Sequence, residues 1–323
     1  KKSIHLVKNN KRKKLRGSPY LFLKKLIEDF NFPTPKKLPP ICSLLVGYFS
    51  YDIIRYIEKV PDNCLDDLKI PDIRLIRPKT LIIHDNLLKK IYFIINSFAD
   101  EQITNYPKYY FQIVQKINYL RNLIFNLQIS QKIKIRTTKN IKVKSNISKK
   151  KFKKIVLQAK EYIKNGDIFQ VVLSQRFESK LTKSPLEIYK KLRITNPSPF
   201  MYFFNFNDFQ ILGSSPEILV RLRKNKITIR PIAGTRPRGS NTKKDSFYMR
   251  QLLKDKKELS EHLMLLDLGR NDVGKVSKIN TVKVNEKFKV EKYSHVMHIV
   301  SNVQGNFNEK LSLLDTMLAG FPA

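Results

Sequence analysis

Residues 210–239 read QILGSSPEILVRLRKNKITIRPIAGTRPRG. Three strand candidates follow one another in this span: Gln210 to Gly213, Ile218 to Arg223 and Ile227 to Ile232, with Phe200 to Phe206 a fourth just before it. Working outward, Phe247 to Leu268 has helical spacing with a break at Asp255-Lys256-Lys257, while Thr281 to Val284 and Phe288 to Val290 read as strands. Tyr293 to Val303 is apolar with embedded polar residues and reads equally as strand or helix. On the other side, Ser148 is placed to cap a helix in which Phe152, Ile155, Val156, Ala159, Tyr162 and Ile163 recur at helical spacing, and Asn165-Gly166 supplies its left-handed stop. Ile168 to Phe177 then alternates like a strand, with Ile168, Gln170, Val172, Ser174 and Arg176 on one face. Clustered strands with interspersed helices predict an α+β fold with mostly antiparallel sheets.

Residues 1–147 read as a domain of their own, ahead of a second one over 148–323. Ser18 to Phe30 has helical spacing, broken by Pro33, Pro35, Pro39 and Pro40. Leu44 to Asp52 reads as a buried strand, with Gly47 where backbones approach closely. Leu81 to Asp85 and Ile91 to Ile95 read as a hairpin. Gln102 to Ile129 reads as mostly helical, and its Lys-rich exit is the connection between the domains.

The chain has 323 residues, 41% of them hydrophobic, enough to build a substantial core. No apolar run reaches the length of a membrane span, and no signal-type stretch follows the N-terminus. Neither Lys1-Lys2-Ser3 nor Ala319 to Ala323 reads as a natural terminus, the latter showing no polar tail and no terminal helix, so truncation at both ends is expected. Cys42 and Cys64 are too few for a disulfide framework and fit no metal spacing, which points to the reducing cytoplasm. The formal charge of +36 raises nucleic-acid binding as a reading. Lysine is spread over the whole chain rather than gathered on a recognition element, so no sequence-specific nucleic-acid binding is expected. A general positive field would favour small anionic substrates.

Four places carry chemistry-bearing residues, each with a plain alternative. Glu258 and Glu261 lie three apart on a helix whose face continues through Met264, Leu265 and Leu268. Inward-facing carboxylates would suit Mg²⁺, which takes one or two of them plus ligand oxygens; a solvated acidic pair beside Lys256 and Lys257 is the alternative. His298 lies among apolar residues and is either an acid/base or a satisfied core imidazole. Glu217 follows Ser214-Ser215-Pro216 and is either a proton donor or part of an ordinary turn. Ile232-Ala233-Gly234-Thr235 ends a strand at a corner whose N–H groups and hydroxyl could hold a carboxylate, with Arg236 and Arg238 adding charge; a surface turn with solvated arginines is the alternative.

Taken together, these segments resemble the chorismate-utilising enzymes. The matching runs are GDIFQVVLSQRF from Gly166, NPSPFMYFF from Asn196, LGSSPEILV from Leu212, RPIAGTRPRG from Arg230, ELSEHLMLLDLGRNDVGKVS from Glu258 and YSHVMHIVSNVQG from Tyr293. They stand in the family's order and cover about Gly166 to the end, with a looser match at Gly47 to Asp52. The resemblance implies a large two-layer antiparallel β-sandwich flanked by helices, with the active site between the sheets. It implies that Glu261, with Glu258 as an additional candidate, binds Mg²⁺ and through it the ring carboxylate of chorismate. Glu217 would be the acid at the departing C4 hydroxyl, His298 the later acid/base, and Ala233, Gly234 and Thr235 substrate-binding positions.

Two positions divide the family. Where isochorismate and salicylate synthases carry a water-activating lysine, this chain has Gln170. Where aminodeoxychorismate synthases commonly carry a lysine nucleophile, it has Ala233, which cannot be one. Both imply anthranilate synthase, in which ammonia adds at C2 and pyruvate is then lost, with aminodeoxychorismate synthase the alternative. The resemblance further implies a separate glutamine amidotransferase subunit in a heterotetramer, and a tryptophan feedback pocket using Asn196, Pro199, Phe200 and Met201, although many relatives have Tyr where Phe200 stands. The family's second Mg²⁺ glutamate and its carboxylate-binding arginine lie beyond Ala323, so the chain alone is expected to be inactive or poorly active.

Overall fold

The computed structural model describes residues 3–8, 11–30, 33–98, 101, 103–127 and 141–321. Fifteen strands and seven α-helices are described, with two short 3₁₀ helices at Pro40–Cys42 and Tyr51–Tyr56. β1 (Ile4–Lys8) and β2 (Lys11–Leu15) form a hairpin before α1 (Pro19–Asp29). β3 (Val46–Phe49) pairs with β4 (Ile73–Ile76), and β5 (Thr80–Asp85) with β6 (Lys90–Ile95), ahead of α2 (Tyr106–Phe125). β7 (Val143–Ser145), α3 (Lys149–Lys164), β8 (Phe177–Ser179), α4 (Pro185–Thr195), β9 (Phe200–Asn205) and β10 (Gln210–Ser215) follow. The chain ends in β11 (Arg221–Arg223), β12 (Lys226–Ile229), β13 (Ile232–Pro237), α5 (Thr242–Lys254), α6 (Lys256–Val276), β14 (Lys283–Lys292), β15 (Val296–Asn306) and α7 (Leu313–Ala319). Helices and antiparallel sheets are mixed throughout, as the α+β reading expects. No helix among the described residues is long and apolar enough to cross a membrane.

The chain divides into two compact units, 1–129 with 215–323, and 130–214. The first holds the five-stranded sheet. Its central strand β15 pairs along one edge with β12 and then β13, and along the other with β14; β11 extends the sheet beyond β12. α6 buries His262, Leu266, Gly269, Val273 and Val276, a four-three-four-three stripe that matches the helical repeat. That stripe packs on Ile227, Ile229 and Val303, with Phe307 and Ala319 completing the cluster. A second cluster joins Leu252 to Met297 and Ile299. Burying such side chains contributes about 1.5–3 kcal/mol each, so this helix–sheet layer anchors the unit.

Most elements fall where expected. Ser148 caps α3 by accepting the Lys151 N–H, α5 and α6 part at Asp255, and the 293–303 ambiguity resolves as strand. At Gly47 a Cβ would stand 1.9 Å from the Arg74 carbonyl oxygen, which is the close approach expected there. Three expectations need correction. Over 168–176 there is no regular secondary structure, because no strand among the described residues pairs with it; only Phe177–Ser179 joins β7. The two strands expected over 281–290 are one strand, β14, bent by register shifts between Val284 and Lys289. The chain end does carry a helix, α7, opened by a capping box of Ser312 and Asp315.

Candidate active site

β12 and β13 run as one interrupted strand along β15. Ile229 faces Val303 and Ile232 faces Val300, so the register is kept across Arg230-Pro231, and Ser301 N–H donates to the Pro231 carbonyl at 3.2 Å. It then shifts by one residue between Ala233 and Thr235. Gly234 absorbs the extra residue with φ of +69°, where a Cβ would meet Glu258 Oε2 and Leu252 Cδ1 at 3.1 Å. Ala233 is buried, opposite Ile299. Without the bulge Thr235 would share that inward face; with it, Thr235 stands opposite His298 instead.

His298 is half-buried, and its Nδ1 lies 3.0 Å from the Gly234 carbonyl and 3.1 Å from Thr235 Oγ1. A carbonyl oxygen only accepts, so the neutral ring carries its proton on Nδ1 and keeps Nε2 as the basic nitrogen. The Tyr293 ring meets the imidazole edge-on, with centroids 5.5 Å apart. Glu217 follows β10 and accepts the Ile232 N–H at 3.3 Å. It keeps one side open to solvent, yet loss of hydration around its carboxyl group raises its pKa, against the opposing pull of that N–H.

Asp255 caps α6 by accepting from the N–H groups of Lys257 and Glu258. Arg236 ties the bulge to this helix start, donating to Asp255 at 2.7 Å, Glu258 at 3.2 Å and the Thr235 carbonyl at 2.9 Å. Arg238 is bonded through Nε and Nη2 to Asp245, which this guanidinium and the Gly239 N–H hold at a pKa of about 2. Both arginines are therefore matched by carboxylates rather than solvated or free for an anion. Glu258 is half-buried against Gly234, whereas Glu261, one turn on, is exposed, outside the stripe that begins at His262. Among the described residues no three His, Cys, Asp or Glu side chains gather as a metal cage. Glu258 and Glu261 are the carboxylates at this helix start that could hold Mg²⁺, which takes one or two of them plus ligand oxygens.

Thr235, Gly234 and His298 are thus brought onto neighbouring ladder positions, with Glu217 bonded through its side chain to the Ile232 N–H on the same strand and Glu258 at the same bulge. Gln170 lies exposed in the irregular stretch of the other unit. There too, Asn196 ends α4, its carbonyl accepting from Ser214 Oγ at 2.7 Å, and Pro199 leads into β9, which opens with Phe200 and Met201. Sequence reasoning missed Tyr293, Glu291, Asp255 and the buried pair His262–Ser301, joined at 2.7 Å. Asp255 had a visible signal as an acidic cap before a helical run; the others depend on strand register.

The sequence pattern of the family described as chorismate binding enzyme matches residues 2–323. The chain belongs to this family. It is 45% identical over 309 residues to anthranilate synthase component 1 of Cereibacter sphaeroides, covering 96% of this chain and 62% of that protein. It is 39% identical to the protein of the same name from Acetivibrio thermocellus, covering 100% and 66%. The chain therefore spans somewhat under two thirds of these relatives' length. The crystal structure of anthranilate synthase component I from Streptococcus pneumoniae TIGR4 superposes with a TM-score of 0.85 at 30% identity, covering 99% of this chain and 70% of that one.

Proposed function

We propose that this chain forms the chorismate-binding part of an anthranilate synthase large subunit, which converts chorismate and ammonia to anthranilate and pyruvate at the start of tryptophan biosynthesis. The observation that carries this is the likeness, over 96% of the chain, to a protein named anthranilate synthase component 1. The site supports it. Departure of the C4 hydroxyl as water needs a proton, and Glu217, with its raised pKa, is suited to deliver it. Ammonia adds at C2 as that hydroxyl leaves, giving an aminodeoxyisochorismate. His298, basic at Nε2, serves the acid/base work as pyruvate is lost and the ring aromatises. Gly234 and Thr235 position the substrate beside it. Gln170 and Ala233 withhold the lysines that would favour water attack or a covalent amine.

Glu261, with Glu258 as an additional ligand, is the group to hold Mg²⁺, which when bound supplies positive charge for the ring carboxylate. Ammonia comes from glutamine through a separate amidotransferase subunit, the two forming a heterotetramer in the cytoplasm. Asn196, Pro199, Phe200 and Met201 form part of a tryptophan feedback pocket. Residues 1–147 and 148–323 are the N-terminal and chorismate-binding domains of this subunit. The test is incubation of the protein carrying this sequence with chorismate, Mg²⁺ and an ammonium salt. Fluorescent anthranilate is expected, and Glu261→Gln should abolish the Mg²⁺-dependent turnover. Accumulation of 4-amino-4-deoxychorismate or isochorismate would overturn the assignment, and an undiminished Gln variant the metal-binding role.

A further inference from the structure

We propose that Tyr293, anchored by Glu291 and Arg230, is a positioning residue that fixes the plane of the His298 imidazole and so the direction in which Nε2 points. The catalytic consequence rests on the acid/base role proposed for His298; the positioning itself does not.

The strand register builds the arrangement. His298 on β15 stands opposite Thr235 on one side and Glu291 of β14 on the other, so the three side chains form a row across one face. Both Glu291 carboxylate oxygens are engaged: Oε1 accepts from Arg230 Nη2 at 2.6 Å, and Oε2 accepts from the Tyr293 hydroxyl at 2.9 Å. Arg230 also reaches Glu286 at 3.4 Å. Tyr293 is held by its backbone too, its N–H donating to the Val296 carbonyl at 2.8 Å and its carbonyl accepting from Arg238 Nη1 at 2.6 Å. The ring therefore has fixed points at both ends. Burial, then the bond to Glu291, push the hydroxyl pKa up to about 12, so it stays a donor at neutral pH.

Bonds at Nδ1 restrain the imidazole torsion only within the angular tolerance of a hydrogen bond, so the plane keeps some play. The terminal torsion of histidine is broad, so no intrinsic preference removes that freedom. A second contact on the ring does remove it, and the Tyr293 ring, inclined at 63° to the imidazole, is that contact. The bond from Tyr293 to Glu291 is charge-assisted and stronger than a neutral one. It gives the tyrosine ring a fixed azimuth rather than a loose one.

The experiment compares Tyr293→Leu, Tyr293→Phe and Glu291→Gln with the unaltered protein. Imidazole ¹⁵N and ¹H NMR of His298 is read on the chain itself, and kcat and KM for chorismate on the protein that carries it. In the unaltered chain a single tautomer protonated at Nδ1 is expected. Tyr293→Leu should broaden that signal or mix tautomers, and lower kcat on the order of tenfold to a hundredfold with KM nearly unchanged, the range for small misplacements of a reacting group. Tyr293→Phe, which keeps the ring, should show a smaller effect in the same direction. Glu291→Gln, which keeps an acceptor for the hydroxyl, should lie nearest the unaltered protein. An unchanged imidazole spectrum in a folded Leu variant overturns the proposal, as does a Phe variant as impaired as Leu. If the imidazole loosens as expected while no anthranilate forms in any protein, the positioning stands and the proposed function falls.

Discussion

Gly234 concentrates several demands in one residue. Its φ of +69° is one that side chains rarely adopt, and a Cβ there would stand a tight 3.1 Å from Glu258 Oε2 and Leu252 Cδ1. Gly234→Ala should therefore destabilise the chain by about 1–3 kcal/mol, seen as a lower urea midpoint; an unchanged midpoint would show that the bulge relaxes freely. Glu217 gives a pH-dependent prediction. Folding raises its pKa above the ordinary 4.5, so the folded state holds its proton more tightly and gains most below that value. The gain is lost as pH rises through the folded value. Stability of the unaltered chain should thus fall relative to Glu217→Gln as pH climbs above the unfolded value, whereas a gap constant with pH would refute the raised pKa. Glu217, Thr235 and His298 are legible in the sequence only in combination, since each has an ordinary structural explanation. Tyr293 and Glu291 are not legible at all, because their meeting with His298 depends on a β14–β15 register containing two shifts.

At the scale of elements, α6 depends on its first turn. Asp255 accepts two backbone N–H groups there and also receives Arg236. Asp255→Ala should cost about 0.5–2 kcal/mol from the cap alone. Asp255→Asn, which keeps a capping oxygen but loses the ion pair, should cost clearly less in denaturant unfolding; equal losses would make the Arg236 link, rather than the cap, the main contribution. The helices were readable because periodicity and caps are local signals: Ser148 and Asn165-Gly166 bracket α3 as expected. Strands were readable where a partner lies nearby in sequence, as in β5 and β6. Residues 168–176 alternate as well as any strand, but alternation provides no partner, and without one the segment stays irregular. α7 was missed although its capping box, Ser312 and Asp315, stands in the sequence.

Across the whole molecule, burial is uneven. The helix–sheet layer of the first unit contains both core clusters. In the second unit, Phe206 is the one buried hydrophobic residue among the described residues, while Phe169 and Val172 are 91% and 83% exposed. Amides of α3 should therefore exchange with solvent faster than those of β15, on the order of a hundredfold or more by hydrogen-exchange mass spectrometry; comparable protection would show that α3 is covered in solution. The family was legible because six ordered segments converge, whereas the charge of +36 says little by itself about function. The proposed choice among chorismate chemistries rests on the likeness to proteins named anthranilate synthase component 1, with which Gln170 and Ala233, side chains that cannot act as nucleophiles or bases, agree. It is tested most directly by the position of nitrogen in the product. With ¹⁵N-ammonium, chorismate and Mg²⁺, the protein carrying this sequence should yield an aromatic amine whose ¹⁵N is bonded to the carbon next to the carboxyl-bearing one. Label at the carbon opposite the carboxyl-bearing one, or a product without label, would contradict the account.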